Sequence, residues 1–145
     1  MARRRGFGYN GRVMVRVEKQ LSIFLENRPG GLARICGTLA EAGINILALS
    51  VHDTVDHAII RLLADRPVKA LLILEQLGLY ILETDIIALD LPNQPGALAD
   101  IARKLARADI NIEYAYCSAT TSQGNGCLII KSDELDRAIE LLREI

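Results

Sequence analysis

Two short turns contain the residues best suited to binding a ligand. Asn27 precedes Pro29-Gly30, and Asn93 precedes Pro95-Gly96, each just before a stretch with helical periodicity. The first backbone N–H groups of a helix have no partner within the helix, so such a turn suits a carboxylate. Glycine lets a ligand approach the backbone closely, and an asparagine amide both donates and accepts hydrogen bonds. The alternative is structural: Pro-Gly only forms the turn, and asparagine only caps the helix.

Both turns belong to a repeated segment. The stretch Leu25 to Ile46 recurs in Leu91 to Ile112 at a fixed spacing of 66 and without a gap. Ordinary composition predicts roughly one or two identities in such a window. The repeat indicates one supersecondary unit used twice, with copies that pack on each other. The identical pairs are Leu25/Leu91, Asn27/Asn93, Pro29/Pro95, Gly30/Gly96, Leu32/Leu98, Ala33/Ala99, Ile35/Ile101, Leu39/Leu105, Ala40/Ala106, Ala42/Ala108, Ile44/Ile110, Asn45/Asn111 and Ile46/Ile112.

The elements that position the first turn can be predicted from hydrophobic periodicity. Apolar residues alternate before Asn27 and recur at three- and four-residue steps after it, which predicts a strand followed by a helix. Gly43 has the place of a left-handed residue that ends this helix. The predicted elements are a strand Leu21–Leu25, a helix Leu32–Ala42, a hairpin of strands Ile44–Val51 and His57–Leu63, a helix from Pro67 and an extended segment Leu79–Leu91.

The second copy predicts the same order of elements, with a longer hairpin turn. That order, β-α-β-β-α-β, is the ferredoxin-like α+β plan, in which helices cover one face of an antiparallel sheet. The predicted elements are a helix Leu98–Ala108, a strand Ile110–Ala119, a turn Thr120–Gly126, a strand Cys127–Lys131 and a last helix capped by Asp133, with Leu135, Ala138, Ile139 and Leu142 facing inward.

The second copy has no residues left for a fourth strand after its last helix. Upstream, however, Val13–Val17 lies at the same spacing of 66 from Leu79–Glu83, the start of the first copy's fourth strand. In a ferredoxin-like sheet strand four lies antiparallel beside strand one, so we predict that Val13–Leu25 pairs with Leu79–Leu91 and that each serves both sheets. The predicted division is a flexible tail 1–11, a first unit 12–78 and a second unit 79–145, which the first strand of the chain completes.

Composition predicts a globular protein with an aliphatic core. Half of the residues are hydrophobic, but only two are Phe, four are Tyr and none is Trp. The net charge of −1 gives no field to hold a polyanion, so nucleic acid is not an expected partner. No apolar run reaches the roughly 18 residues of a membrane helix, and the start lacks the apolar region of a signal peptide. We therefore expect a soluble cytoplasmic protein whose cysteines are reduced and buried, namely Cys36, Cys117 and Cys127.

Catalytic motifs are absent from the sequence. It contains no GxSxG, no HExxH and no phosphate-binding GxxxxGKS loop, so neither turnover nor a cofactor is expected. His52 and His57 flank the first hairpin turn, with Asp53 and Asp56 between them. Solvated turn residues are favoured there over a metal site, because the sequence places no third or fourth ligand. An RNA-binding sheet face would need stacked aromatics and basic neighbours, which argues against that use.

The stretch Leu25-Glu26-Asn27-Arg28-Pro29-Gly30-Gly31-Leu32, followed by Ala42-Gly43-Ile44-Asn45-Ile46, resembles the ACT domain signature. Residues 91–98 and 108–112 repeat it. The chain is similar, over about Arg16 to Ile145, to small cytoplasmic proteins made only of two ACT domains. The resemblance implies the ferredoxin-like fold and an amino acid bound at the interface between paired ACT domains.

Similar ACT domains in serine-inhibited phosphoglycerate dehydrogenases place the turn asparagine and the asparagine of the Ile-Asn-Ile strand on one ligand, from opposite domains. Carried over, Asn27 would work with Asn111, and Asn93 with Asn45. The histidine that those enzymes have two residues before the turn asparagine is a leucine in both copies, which puts serine as the ligand in doubt. The residues implied to bind the ligand are Asn27, Arg28, Pro29, Gly30, Gly31, Leu32, Asn45, Asn93, Gln94, Pro95, Gly96, Ala97, Leu98, Asn111, Tyr114 and Tyr116.

The two copies differ beside the implied sites, so the sites need not bind equally or bind the same molecule. Leu47–Ser50 in the first copy becomes Glu113-Tyr114-Ala115-Tyr116 in the second. Tyr114 and Tyr116 lie on one face of their strand and Glu113 lies on the other, so only one of these faces can contact the ligand. A tyrosine would cover the ligand side chain, whereas Glu113 would meet its amine.

The sequence thus predicts a non-catalytic, amino-acid-binding regulatory protein in which the ligand bridges two ACT units and biases their packing. The expected partners are a small-molecule amino acid and either a second copy of the chain or a regulated enzyme. The alternative is a regulatory or assembly subunit of a biosynthetic enzyme or regulator, which uses its sheets for assembly and binds no small molecule.

Overall fold

The structure is a computed structural model, and it describes residues 14–118 and 125–144. The described elements follow the predicted order, with ends that differ from the predicted ones by one or two residues at most positions. They are β1 (Val15–Glu26), α1 (Gly31–Glu41), β2 (Ile46–Asp53), β3 (His57–Ala64), α2 (Pro67–Glu75), β4 (Tyr80–Pro92), α3 (Ala97–Arg107), β5 (Ile112–Ser118), β6 (Asn125–Ser132) and α4 (Leu135–Arg143).

One compact unit consists of Glu18–Asp85. Its strands have the order β2-β3-β1-β4, and β3 pairs antiparallel with both of its neighbours. Leu21 lies opposite Leu62 in the β1–β3 pair, and Leu49 lies opposite the same Leu62 in the β2–β3 pair. Helices α1 and α2 cover one face of this sheet, because the alternating apolar side chains of the strands point to that face.

The other compact unit combines residues 14–17 with residues 86–118 and 125–144. Its strands have the order β1-β4-β6-β5, with β6 antiparallel to both β4 and β5. Leu89 lies opposite Leu128, and Ala115 lies opposite Ile130. Helices α3 and α4 pack on one face of this sheet, so the second copy has the same layered plan as the first.

Strands β1 and β4 each contribute residues to both units, as the missing fourth strand predicted. The boundary between the units crosses β1 after Val17 and β4 after Asp85, and the two strands are neighbours in the sheet. Asp90 N donates to Met14 O across 3.2 Å, and Lys19 Nζ lies 2.5 Å from Asp85 Oδ1. Residue numbers therefore fall in β4 as they rise in β1, which makes the pair antiparallel. The predicted division of the repeat at residue 78 stays a prediction.

The core of each unit is aliphatic, as composition predicted. In both units the helices contribute residues that the repeat had matched, for example Ile35 and Leu39 in α1 and Ile101 and Leu105 in α3. Leu39 and Leu105 are fully buried. Burial of this size contributes about 1.5–3 kcal/mol per Leu or Ile side chain, so these clusters are the main stabilising contribution to each unit.

One of the predicted caps is wrong. Asp133 does not cap α4: the N-cap residue is Glu134, whose backbone N–H donates to Ser132 Oγ at 3.2 Å. Ser132 is buried and also donates from its hydroxyl to Asn111 O at 3.0 Å, so it links the start of α4 to the residue before β5. Gly43, by contrast, has the predicted positive φ, at 72°. The predicted tail 1–11 and most of the turn Thr120–Gly126 lie outside the described residues.

Candidate functional site

The two turns have the same backbone geometry. Gly30 and Gly96 are the N-cap residues of α1 and α3, with φ values of 90° and 93°. Arg28 N donates to Glu26 O at 2.9 Å, and Gln94 N donates to Pro92 O, also at 2.9 Å. A positive φ is costly for a residue with a Cβ, so glycine is required by the backbone at both positions. The repeat therefore preserves a turn shape as well as a set of residues.

No side chain in the described part of the chain caps either helix. The first turns of α1 and α3 receive no side-chain cap hydrogen bond, so asparagine is not a helix cap in either copy. Asn27 and Asn93 are both exposed, and Asn27 is held through its backbone N–H, which donates to Asp56 O at 3.3 Å. Two of the groups that suit a carboxylate, uncapped helix N–H groups and a side-chain amide, are thus present together at each turn.

A groove of about 670 Å³ lies at the first turn. The predicted residues Arg28, Pro29, Gly30 and Gly31 line it, while Asn27 and Leu32 do not. The groove has further walls that the sequence reading missed, formed by Phe24, Arg34, His57 and Tyr80. The rings of Phe24 and Tyr80 lie 5.5 Å apart, because β1 and β4 place these residues opposite each other.

The register of β1 and β4 would have predicted that Phe24 and Tyr80 lie side by side in the groove. The numbers of facing residues add to a constant in an antiparallel pair, so the pairing of Lys19 with Asp85 brings Phe24 beside Tyr80. Arg34 could have been found from its sequence spacing to Gly30. It lies one helical turn after Gly30, since Arg34 N donates to Gly30 O at 3.0 Å, and residues at this spacing share a helix face.

A second groove, of about 470 Å³, lies at the turn of the other unit. It is lined by the predicted residues Asn93, Gln94, Ala97 and Leu98, whereas Pro95 and Gly96 do not reach it. Cys117 also lines this groove. A smaller space of about 350 Å³ joins Asn27 and Arg28 to the tip of the β2–β3 hairpin. Each turn asparagine therefore borders a space that a small molecule can enter.

The second pair of predicted asparagines lies at the far ends of the same helices. Asn45 follows α1 and is fixed by its backbone: its N–H donates to Asp65 Oδ1 at 3.0 Å and its carbonyl accepts from Asp65 N at 3.0 Å. Asn111 follows α3. The eleven residues of α1 span about 16 Å, so Asn27 and Asn45 of one unit cannot touch the same small ligand. The cross-unit pairs Asn27 with Asn111 and Asn93 with Asn45 stay predictions.

Strand β5 alternates as predicted. Tyr114 and Tyr116 are half-buried and lie opposite Lys131 and Ile129, and Glu113 is exposed. The carboxylate of Glu113 lies 3.2 Å from Lys131 Nζ. Lys131 therefore forms an ion pair with Glu113, the carboxylate that was a candidate for the ligand amine.

Of the candidate metal ligands at the β2–β3 turn, His57 lines the first groove. His52 and His57 are both exposed, and within residues 14–118 and 125–144 no three His, Cys, Asp or Glu side chains are grouped as metal ligands. The prediction of buried cysteines is wrong for Cys117, which lies on the exposed face of β5 together with Glu113, and Cys36 and Cys127 are only half-buried. None of the described helices is long and apolar enough to cross a membrane.

Two βαββαβ units in one chain, each with a glycine-capped helix beside a groove, define a protein of paired small α+β domains. The chain belongs to the ACT domain pair family, whose model matches residues 16–144. This confirms the resemblance that the turn residues indicated.

Solved structures have a similar fold. The crystal structure of protein BT0572 from Bacteroides thetaiotaomicron is 35% identical, with a TM-score of 0.82 over 92% of this chain and 90% of that one. The ligand-free regulatory subunit of aspartate kinase from Thermus thermophilus is 20% identical, with a TM-score of 0.62 over 92% and 98% of the two chains. The likeness to the kinase subunit is one of fold. Among curated proteins, none matches the chain.

Proposed function

We propose that this chain is a non-catalytic regulatory protein that binds a free amino acid between its two ACT units. The observation that carries the proposal is the pair of uncapped, glycine-started helices, α1 and α3, each beside an exposed asparagine and a groove. Such a turn offers backbone N–H groups to the carboxylate that every free amino acid has. The proposed contacts are Asn27 with Asn111 on one ligand and Asn93 with Asn45 on a second.

The proposed output is a change in another protein or in a second copy of this chain. A ligand that touches both units changes their packing only if it binds one arrangement more tightly than the other. The aspartate kinase subunit from Thermus thermophilus is described as a regulatory subunit, so a pair of such units can serve that role in a related fold. The partner proposed here is an enzyme or a homodimer mate, in the cytoplasm.

An assembly role without a small molecule is the second candidate. Strands β2 and β5 stand at the ends of the strand order, so each has one neighbour among the described strands and a free edge. Free edges pair readily with strands of other chains. Under this proposal the edges build a complex with an enzyme or regulator, and the grooves at the turns stay empty.

A thermal-shift panel of the twenty amino acids separates the two candidates. Ligand at a hundred times its dissociation constant adds about 2.7 kcal/mol to the free energy of unfolding, which for a chain of this size raises Tm by about 5 to 10 °C. We expect one amino acid, or one chemical group of them, to give such a shift. A flat panel on folded protein would remove the first candidate and leave the assembly role.

A further inference from the structure

The groove at the first turn is lined by charged side chains. Arg28, Arg34 and Glu26 all border it. Arg28 and Glu26 form an ion pair with each other, so their charges largely cancel. Arg34 is exposed, and within the described part of the chain its guanidinium makes no ion pair or hydrogen bond. The groove therefore has one arginine whose charge is not neutralised by any side chain that the structure describes.

The corresponding positions of the second copy carry no such charge. At the spacing of 66, Glu26, Arg28 and Arg34 become Pro92, Gln94 and Asp100. The second groove is lined by no Lys, Arg, Asp or Glu among the described residues. Asp100 lies outside that lining and pairs with Arg103 at 3.2 Å. The two copies thus share a turn shape but differ in the charge that a ligand would meet.

The place of Arg34 fits a short acidic side chain. Arg34 follows Gly30 and Gly31 by one helical turn, a spacing that separates neighbouring side chains by about 5–6 Å. A ligand carboxylate at the start of α1 therefore leaves its own side chain within reach of the guanidinium. Arginine is the residue best suited to a second carboxylate, because its planar group can donate two parallel hydrogen bonds.

We propose that the groove of Glu18–Asp85 selects an amino acid with a side-chain carboxylate, and that Arg34 supplies the selectivity. This inference rests on the proposed function, since it names the ligand class of the same turn. The second groove does not share the preference. The pair of ACT units accordingly holds one acidic amino acid at the first turn and not at the second.

Calorimetric titration with aspartate, asparagine, glutamate and glutamine tests the inference, because each acid is compared with its neutral isostere. Hydrogen bonds to charged groups contribute about 1.5–3 kcal/mol, so we expect aspartate or glutamate to bind at least about tenfold more tightly than its amide. Arg34→Gln should abolish that preference. Arg103→Gln, at another exposed helix arginine, is the matched control and should retain it. Circular dichroism verifies that each variant is folded.

Three results would overturn the inference. Equal binding of an acid and its amide, or a thermal shift given only by neutral or basic amino acids in the panel of twenty, would show that Arg34 does not select the ligand, while the proposed amino-acid-binding function would stand. A preference that persists in Arg34→Gln would exclude Arg34 as its source. Absence of binding by any of the twenty amino acids would overturn the proposed function together with this inference.

Discussion

Single residues decide the shape of the candidate site. At Gly30 the backbone has φ 90° and ψ −9°, and a Cβ built there meets no heavy atom within 4 Å. The need for glycine is therefore one of backbone conformation and not of space. Gly37, inside α1, also has an open environment but no positive φ, so it provides an internal comparison.

Gly30→Ala should destabilise the protein, and Gly37→Ala should stabilise it. A left-handed alanine costs about 1–2 kcal/mol, whereas alanine in place of glycine inside a helix gains up to about 1 kcal/mol. Urea denaturation of both variants gives the two free energies of unfolding. A Gly30→Ala protein as stable as the parent would contradict the described turn geometry.

At this scale the sequence predicted the turn better than the groove. Asn27, Gly30 and their repeats were found because they are local and recur at one spacing. Arg34 and Tyr80 were missed, since one lies on a helix face and the other on a strand from a different part of the chain. Which of these side chains meet depends on strand register, and register is a property of pairing and not of local sequence.

At the scale of elements, α1 and α3 each have a buried leucine at the equivalent position of the repeat. Leu39 and Leu105 are each 0% exposed, whereas Leu98, near the start of α3, is 52% exposed. The first two fill the cores of their units, and the third faces solvent. Because the three leucines differ in burial, replacing each by alanine should change the free energy of unfolding by different amounts.

Leu39→Ala and Leu105→Ala should each lower the free energy of unfolding by about 2–5 kcal/mol, because each removes buried methyl groups and leaves a cavity. Leu98→Ala, as the control, should change it by less than about 1 kcal/mol. Guanidinium denaturation measures all three. Equal losses for Leu98 and Leu105 would mean that the helix face in contact with the sheet is misassigned.

The pairing of β1 with β4 includes an ion pair whose contribution to the free energy of unfolding depends on pH. A hydrogen bond from Lys19 to Asp85 raises the pKa of the lysine above its ordinary 10.5, and the charge of Glu83 acts in the same direction. A raised pKa in the folded state stabilises the protein fully below the unfolded pKa, and the effect is lost as pH rises through the folded value.

The stability difference between the parent and Lys19→Met should therefore be constant from neutral pH to near 10.5 and should shrink above it. Chemical denaturation in a series of alkaline buffers measures the difference, with Lys69→Met as the control for a lysine that bonds only a backbone carbonyl. A difference that stays constant through the alkaline range would argue against the contact between Lys19 and Asp85.

At the scale of the whole molecule, the repeat explains why the chain is organised as a pair. Sequence reasoning found the exchange of strands because the second copy lacked a fourth strand and Val13–Val17 had no other place in the repeat. The structure confirms that β1 and β4 serve both units. The ligand could not be predicted in this way, because the proposed contacts come from two copies whose residues differ beside the turns.

Shared strands predict a single cooperative unfolding transition. Neither unit keeps its four-stranded sheet if β1 or β4 is lost, so the two should melt together. Differential scanning calorimetry should give one peak, which both Leu39→Ala and Leu105→Ala move to lower temperature although they lie in different units. Two resolved peaks, with Leu39→Ala moving only one of them, would contradict this coupling.

Binding of a free amino acid at the asparagine turns can be measured with the thermal-shift panel, repeated on variants of the turn residues. The parent should gain about 5 to 10 °C with its ligand. Asn27→Ala and Asn111→Ala should each weaken binding at least about tenfold, because each removes a hydrogen bond to a charged ligand, and the shift should fall accordingly. Gln76→Ala, which removes an exposed amide at the end of α2, should retain the full shift. A flat panel for the folded parent, or a shift unchanged in both asparagine variants, would contradict the account.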